Sequence, residues 1–210
     1  ISWDEAYREI ADRLLDAKAR YGADSVAFFS GFTKWYRQYL HRFAYSFGSI
    51  NYGSECSSCW KSTEMAWMST AGTITDPDFG NSNVILGWAL NAFYSMHVAG
   101  PALLALKDMG KKFIIVDPRK TPATDKLADI HLQLKPGTDG ALALGIAKVI
   151  LDNGWADMDY VEKHTAGFEE YRAEVQKFDL KTVEEITGVA PKLVAAAAEL
   201  IATGGPACMH

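Results

Sequence analysis

From residue 83 onward, short aliphatic runs alternate along the chain with segments of helical spacing. NVILGW, KKFIIVD and DIHLQL are typical of buried strands, whereas residues 95–109 and 139–154 show patterns typical of helices. Strands that alternate with helices are joined by right-handed crossovers, which make the strands parallel and place helices on both faces of the sheet. The sequence therefore predicts an α/β fold, a parallel-sheet α/β/α sandwich.

The first 75 residues form a separate pattern of the same kind. A helix is predicted over residues 3–20, followed by the β-prone run DSVAFFSG and by helices over KWYRQYLHRFAYSFG and residues 60–70, with residues 49–58 as a loop. The segment TAGTITDPDFGNS indicates a linker because it is rich in Gly, Pro, Asp and Asn. We therefore predict an incomplete first lobe over residues 1–75 and a second lobe over 76–210. The remaining predicted helices of the second lobe cover residues 157–164, 168–177 and 191–203.

Composition and charge exclude several classes of protein. The chain is 49% hydrophobic and 22% charged over 210 residues, which is typical of a globular protein with a sizeable core. Its net charge of −5 argues against a nucleic-acid partner, and the absence of an apolar run of about 18 residues argues against a membrane span. Three cysteines are too few, and odd in number, for a disulfide scaffold.

Both ends of the sequence lie within regular patterns. The chain begins inside the helical pattern ISWDEAYREI and ends at GGPACMH, where an apolar run begins. We therefore expect a fragment of a longer subunit. Because any signal peptide would lie upstream, cytoplasmic and periplasmic locations both stay open.

Cys56 and Cys59 lie three positions apart in GSECSSCWKSTEMAW. The pair could be half of a zinc knuckle, a redox dithiol, an inert buried pair, or one useful thiolate with a bystander. No second pair follows at zinc-knuckle spacing, and the motif does not directly follow a strand. Ser57 and Ser58 favour a helix start, so Cys59 is predicted near a helix N-terminus. There the helix dipole favours the thiolate, a ligand suited to a soft metal.

Three loops follow the predicted strands of the second lobe, at the end of the sheet where such folds bind ligands. The first, GWALNA, lacks the G-x-G-x-x-G pattern of nicotinamide and flavin sites, and a plain connection is its alternative interpretation. In the second, VDPRKTPATDK, Asp117 could accept hydrogen bonds from a ribose, and Arg119 suits a phosphate. Pro118 fixes this turn and Thr121 and Thr124 add hydroxyl groups, although a solvated polar turn would have the same composition.

The third loop is KPGTDGALAL, which enters a predicted helix. Pro136 and Gly137 form its turn, and Thr138 or Asp139 is expected at the helix start. A carboxylate there is stabilised by about 0.5–1 kcal/mol through the helix dipole. Asp139 could therefore be only a helix cap, or it could accept two hydrogen bonds from the edge of a guanine.

Taken in order, these pieces resemble the large catalytic subunit of the molybdopterin oxidoreductases. This is the family of dimethyl sulfoxide reductase, formate dehydrogenase and periplasmic nitrate reductase. The matching motifs are WDEA at residue 3, SG at 30, GSIN at 48, WALN at 88, VDPRKT at 116, AD at 128 and PGTDGAL at 136. The resemblance covers essentially the whole chain and implies the central-domain sandwich of the formate dehydrogenase and dimethyl sulfoxide reductase type.

The resemblance implies a bis(molybdopterin guanine dinucleotide) cofactor that carries molybdenum or tungsten, with a 4Fe-4S cluster in a segment upstream of this chain. It places Asp117, Arg119 and Asp139 around one guanine nucleotide, and Asn91 near its phosphates or pterin. Further residues of the same motifs are expected at this site: Trp88, Pro118, Thr121, Pro136, Gly137 and Thr138.

The resemblance also proposes a metal ligand. The register of formate-dehydrogenase-like sequences has threonine four residues and alanine seven residues after the ligand. Thr63 and Ala66 fit that register from Cys59, which is therefore the predicted catalytic metal ligand, with Cys56 as the alternative.

The activity implied is two-electron redox chemistry or oxygen-atom transfer on a small substrate. The rest of the subunit and an iron–sulfur electron-transfer subunit are the implied partners, and the isolated chain is expected to be inactive. A non-redox hydratase and a metal-free structural or electron-relay subunit are the alternatives. His41 and His97 could carry protons, although an ordinary structural or surface role is the alternative for each.

The sequence departs from the family pattern at three places. Ala89 replaces a usual glycine, and no proline follows Asn91. No histidine follows either cysteine, so the Cys-His pair of formate dehydrogenases is absent, which argues against formate as the substrate.

Overall fold

The computed structural model describes residues 1–32, 35–57, 59–96 and 98–210. Ser58, a predicted helix-start residue, and His97, a predicted proton carrier, lie outside the described residues. The chain forms two compact units, Ile1–Thr75 (unit 1) and Asp76–His210 (unit 2).

Unit 1 contains three α-helices and a two-stranded parallel sheet among its described residues. In chain order these are α1 (Trp3–Tyr21), β1 (Phe28–Ser30), α2 (Arg37–Phe47), β2 (Tyr52–Ser54) and α3 (Trp60–Ala71). The prediction of a loop over residues 49–58 was wrong at residues 52–54, because β2 pairs with β1 in the register Phe28 to Tyr52. The sequence YGS is short and carries no aliphatic run, so it forms a strand only through this pairing.

The ends of α1 and α2 follow from local chemistry. The Ser2 hydroxyl accepts from the Glu5 amide at 3.2 Å, and the Glu5 carboxylate accepts from the Ser2 amide at 2.6 Å, which completes a capping box. Helix α2 ends at Gly48, whose φ of 98° is accessible to glycine at little cost. The buried ring of Phe28 in β1 packs edge-on against Phe43 and Phe47 of α2, which joins this strand to the helix.

Unit 2 is a four-stranded parallel sheet in the order β5-β4-β3-β6 with helices on both faces. Its elements are β3 (Val84–Trp88), α4 (Ala92–Ser95), α5 (Ala99–Asp108), β4 (Lys112–Val116), α6 (Pro122–Leu127), β5 (Ile130–Leu132), α7 (Asp139–Asp152), α8 (Met158–His164), α9 (Phe168–Val175), α10 (Leu180–Thr187), α11 (Pro191–Thr203) and β6 (Ala207–Met209). Buried side chains of α7, α10 and α11 join one face of the sheet, and those of α5 and α6 join the other. The predicted α/β/α sandwich is confirmed.

Within the described part of the chain, no single helix is long and apolar enough to span a membrane. Helices α10 and α11 together reach the required length and composition, but they are bent by 112° relative to each other.

The A-D motif has a structural explanation. The Asp129 carboxylate accepts from Lys107 Nζ at 2.6 Å and from the Phe113 amide at 2.8 Å, so it ties α5 and the start of β4 to the entrance of β5. Partial burial raises the pKa of Asp129, but the hydrogen bonds from Lys107 and Phe113, together with the charge of Lys112, outweigh burial and leave the pKa below its usual value.

Replacing Asp129 with asparagine is expected to lower the free energy of unfolding by about 1 kcal/mol near neutral pH, because charge-assisted hydrogen bonds are lost. A carboxyl group with a depressed folded pKa stabilises the fold above its unfolded pKa, and this contribution is lost as the pH falls through the folded value. Urea unfolding should therefore show that wild type and variant converge as the medium is acidified. A difference that stays constant into acid would contradict this account.

Candidate cofactor-binding edge and cysteine loop

Strands β3, β4 and β5 end at the same edge of the unit 2 sheet. Trp88 pairs with Val116, and Val116 with Leu132, so the last residues of the three strands are in register. The loops that follow them therefore start side by side, as expected for the ligand-binding end of a parallel sheet.

The first and third of these loops are joined directly. The indole nitrogen of Trp88 donates to Asp139 Oδ1 at 2.8 Å, a contact between residues 51 positions apart. Gly137 has φ of 81°, so the turn before α7 requires a residue that tolerates the left-handed region. Thr138 occupies the N-cap position of α7, but its hydroxyl donates to the Lys135 carbonyl at 2.6 Å and does not cap the helix.

The second loop is held from both sides. The Asp117 side chain is buried, and its Oδ1 accepts from the Arg119 amide at 2.8 Å. The His131 ring hydrogen-bonds to the Asp117 carbonyl at 2.9 Å, and Gln133 donates to the Pro118 carbonyl at 3.0 Å. The sequence analysis did not predict that His131 and Gln133 contact this loop. The signal for them was the alternation of polar and aliphatic residues in DIHLQL, which places polar side chains on one face of the strand.

Arg119 and Thr121 differ in their availability to a ligand. The Arg119 side chain is 73% exposed, with its Nε 3.8 Å from Asp117 Oδ1, so most of its guanidinium is open. Thr121 is buried and caps α6, accepting from the Thr124 amide at 3.3 Å, while the Thr124 hydroxyl donates to the Thr121 carbonyl. These two hydroxyls are used inside the protein, and a role for Thr121 toward a ligand stays a prediction.

The WALN segment carries two unusual features. Ala89 has φ of 57° and is the one non-glycine residue with a positive φ in the described part of the chain, at the position where the family pattern has glycine. Asn91 Oδ1 is buried and accepts no hydrogen bond from the described residues. A buried unpaired acceptor is costly, so this oxygen fits a ligand that brings a donor.

The residues at this edge fit a nucleotide cofactor. An exposed guanidinium suits phosphate, carboxylates suit ribose hydroxyls and base N–H groups, and the unpaired amide oxygen needs a donor. These groups are, in order, Arg119, Asp117 with Asp139, and Asn91.

The two cysteines of unit 1 have different surroundings. Cys59 is exposed at the N-cap of α3, as predicted from its neighbours, and its carbonyl accepts from the Thr63 amide at 3.3 Å. Cys56 is half-buried: Arg37 Nη1 donates to its sulfur at 3.2 Å, and its sulfur lies 3.5 Å from Glu55 Oε1. The cysteines are therefore not equivalent.

Arg37 organises the segment around Cys56. It forms an ion pair with Glu55 and donates to the Gly31 carbonyl at 3.3 Å, so three separate chain segments meet at one guanidinium. Its hydrogen bonds with Glu55 and Cys56 raise the pKa of Arg37 above its usual value. Partial desolvation raises the pKa of Glu55, but the hydrogen bonds from Arg37 and Cys56 outweigh it, and the net shift is downward. No local sequence signal identified this arginine.

His41, a predicted proton carrier, is exposed and lies against two tyrosine rings, with centroids 4.5 Å from Tyr45 and 4.7 Å from Tyr52. This aromatic packing matches the ordinary structural role. Among the described residues no group of three or more His, Cys, Asp and Glu side chains could hold a metal.

Comparison with known proteins identifies the family. The molybdopterin oxidoreductase family model matches residues 1–204. Acetylene hydratase from Syntrophotalea acetylenica is 36% identical in a match that covers 99% of this chain and 29% of the hydratase. The assimilatory nitrate reductase catalytic subunit of Bacillus subtilis is 32% identical in a match that covers 90% of this chain and 28% of the reductase. The solved structure of acetylene hydratase from Pelobacter acetylenicus superposes with a TM-score of 0.72 at 34% identity, covering all of this chain and 29% of that one.

The fold and the comparisons define a molybdopterin-type α/β domain. The chain belongs to the molybdopterin oxidoreductase family. It spans less than a third of the length of the curated relatives that it matches.

Proposed function

We propose that the chain is part of the catalytic subunit of a molybdenum or tungsten enzyme, with unit 2 binding one guanine nucleotide of a bis(molybdopterin guanine dinucleotide) cofactor. The observation that carries this proposal is the edge of the sheet that combines an exposed guanidinium, two carboxylates and a buried unpaired amide oxygen. When bound, the cofactor supplies a redox-active metal centre for two-electron or oxygen-atom transfer on a small substrate.

Each residue of this edge has a chemical part in the proposal. Asp139 accepts from the guanine edge, Asp117 from a ribose hydroxyl, and Arg119 binds a phosphate. Asn91 Oδ1 accepts from a donor of the cofactor, which satisfies a buried group that is otherwise unpaired. The residues that shape the turns or line the edge are Trp88, Pro118, Pro136, Gly137 and Thr138.

In unit 1, Cys59 is the proposed protein ligand of the metal. Its thiol is exposed and receives no hydrogen bond from the described residues, whereas the Cys56 sulfur is already held by Arg37. A centre with a single protein ligand needs no cluster of three ligating side chains. The presence of this cysteine favours an enzyme over a metal-free subunit of the same fold.

Two reaction types fit this architecture. Two-electron redox chemistry is supported by the nitrate reductase relative, and addition of water to a carbon–carbon triple bond is supported by the acetylene hydratase relatives at 34–36% identity. The redox proposal includes a 4Fe-4S cluster upstream of this chain and an iron–sulfur partner subunit that carries electrons.

The rest of the subunit is a further proposed partner. None of the residues of α1 is buried, and Trp3 and Tyr7 stack on its exposed surface at 5.9 Å. A helix normally buries one apolar stripe, so this surface suits packing against other parts of the same subunit. We also propose that the 210-residue chain alone has no turnover.

The nucleotide part of the proposal is tested by titrating the 210-residue chain with GMP and with AMP by calorimetry. Adenine presents an acceptor where guanine presents N1–H, so GMP is expected to bind about tenfold or more tightly. Asp139→Asn should remove this preference, and Asp159→Asn, an exposed carboxylate on α8, is the matched control. Equal binding of both nucleotides, or no saturable binding, would refute the proposal.

A further inference from the structure

Trp88 connects the core of unit 2 to the ligand-binding edge. It is the last residue of β3, and its half-buried ring packs against the cluster that contains Val116 and Leu142. Its indole nitrogen donates to Asp139 Oδ1 at 2.8 Å. The position of the donor is therefore fixed by the sheet and the core, whereas Asp139 itself is exposed.

The hydrogen bond restricts how the Asp139 carboxylate can meet a ligand. A carboxylate has two oxygens with about four acceptor positions, and the indole uses one of those on Oδ1. The second oxygen accepts no hydrogen bond from the described residues. One anchored oxygen restricts rotation of the group, and because Asp139 is exposed its remaining acceptor positions are open to a ligand.

A fixed carboxylate suits one kind of base edge. Guanine places N1–H and the 2-amino group side by side, so one carboxylate can accept from both. Hypoxanthine keeps only N1–H, and adenine has an acceptor at N1. Preorganised acceptors lose less conformational entropy on binding, and they discriminate strongly against a base that leaves them unpaired.

We propose that Trp88 is a positioning residue that sets the purine selectivity of this edge by anchoring Asp139. The inference rests on the proposed nucleotide site and adds the residue that orients its carboxylate. Tryptophan combines an apolar ring that the core holds in place with a single N–H donor at its rim. Phenylalanine keeps the ring and lacks the donor.

The test compares wild type with Trp88→Phe in the 210-residue chain, using GMP, IMP and AMP as probes. Wild type is expected to bind in the order GMP, IMP, AMP from tightest to weakest. Trp88→Phe should reduce the ratio of GMP to AMP affinity about tenfold while AMP binding stays unchanged. Trp155→Phe is the matched control, because Trp155 packs against the same cluster and makes no indole hydrogen bond to the described residues.

A second readout uses wild type alone and does not depend on the variant folding. The indole ¹⁵N–¹H resonance of Trp88 should shift further at saturation with GMP than at saturation with AMP. Unchanged selectivity in a folded Trp88→Phe chain, or an indole resonance indifferent to GMP, would overturn the role of Trp88 while leaving the nucleotide site intact. Failure of wild type to bind GMP would overturn the proposed site and this inference together.

Discussion

Replacing Cys59 with serine in the full-length subunit is expected to remove one sulfur from the metal's coordination shell. Loss of activity should exceed the 10–100-fold typical when an outer-shell partner is mutated, because Cys59 is the proposed direct ligand. X-ray absorption at the metal edge measures the number of sulfur neighbours without depending on turnover. Cys56→Ser is the matched control and should leave that number unchanged.

The contrast between the two cysteines follows from their contacts. The Cys56 sulfur accepts from Arg37 at 3.2 Å, and serine can accept the same hydrogen bond, so the segment should keep its arrangement. Cys59 has no such contact among the described residues and is exposed.

In the 210-residue chain, iodoacetamide should therefore modify Cys59 faster than Cys56. If Cys56→Ser, and not Cys59→Ser, changes the metal's sulfur count, or if neither variant changes it, the assignment of Cys59 as the ligand is wrong.

Much of the fold could be predicted because its signals are local. Caps such as Ser2 and stops such as Gly22 and Gly48 act within a few residues, and the aliphatic strands of unit 2 are continuous runs. The short elements β2, α4, α6, α10 and β6 were not predicted. Helix α10 has eight residues and buries only Val183 and Thr187, so its pattern is too short to be distinguished from the polar segments around it.

The loops that form the candidate site could be predicted from the sequence, but the contacts between their side chains could not. The edge could be located because parallel strands bring their carboxyl ends together. The contacts that define its chemistry span 51 residues between Trp88 and Asp139, and 18 residues between Arg37 and Glu55. Nothing in the local sequence encodes such pairs. The family pattern could identify Asp139 as a candidate, and only the structure shows which group holds it.

Gly145 of α7 is a position in unit 2 where one added methyl group should be costly. A Cβ there would lie 2.5 Å from Val183 Cγ2 and 3.2 Å from its Cγ1, and the fully buried Val183 belongs to α10. Valine has one strongly preferred rotamer in a helix, so its methyl groups cannot simply turn away. The close approach of α7 and α10 therefore depends on the missing side chain.

Gly145→Ala is expected to lower the free energy of unfolding by about 2–3 kcal/mol, toward the upper end for overpacked cores, despite the better helix propensity of alanine. Gly140→Ala on the same helix is the matched control: a Cβ there meets nothing within 4 Å, so stability should rise by up to about 1 kcal/mol. Chemical denaturation of both variants measures the two changes in the free energy of unfolding, which are expected to have opposite signs. Adding Val183→Ala should recover part of the loss at Gly145, because it removes the clashing methyl groups. If Gly145→Ala is as stable as Gly140→Ala, α10 can shift to make room for the added methyl group. The position of α7, which begins at Asp139, would then not depend on its close packing against α10.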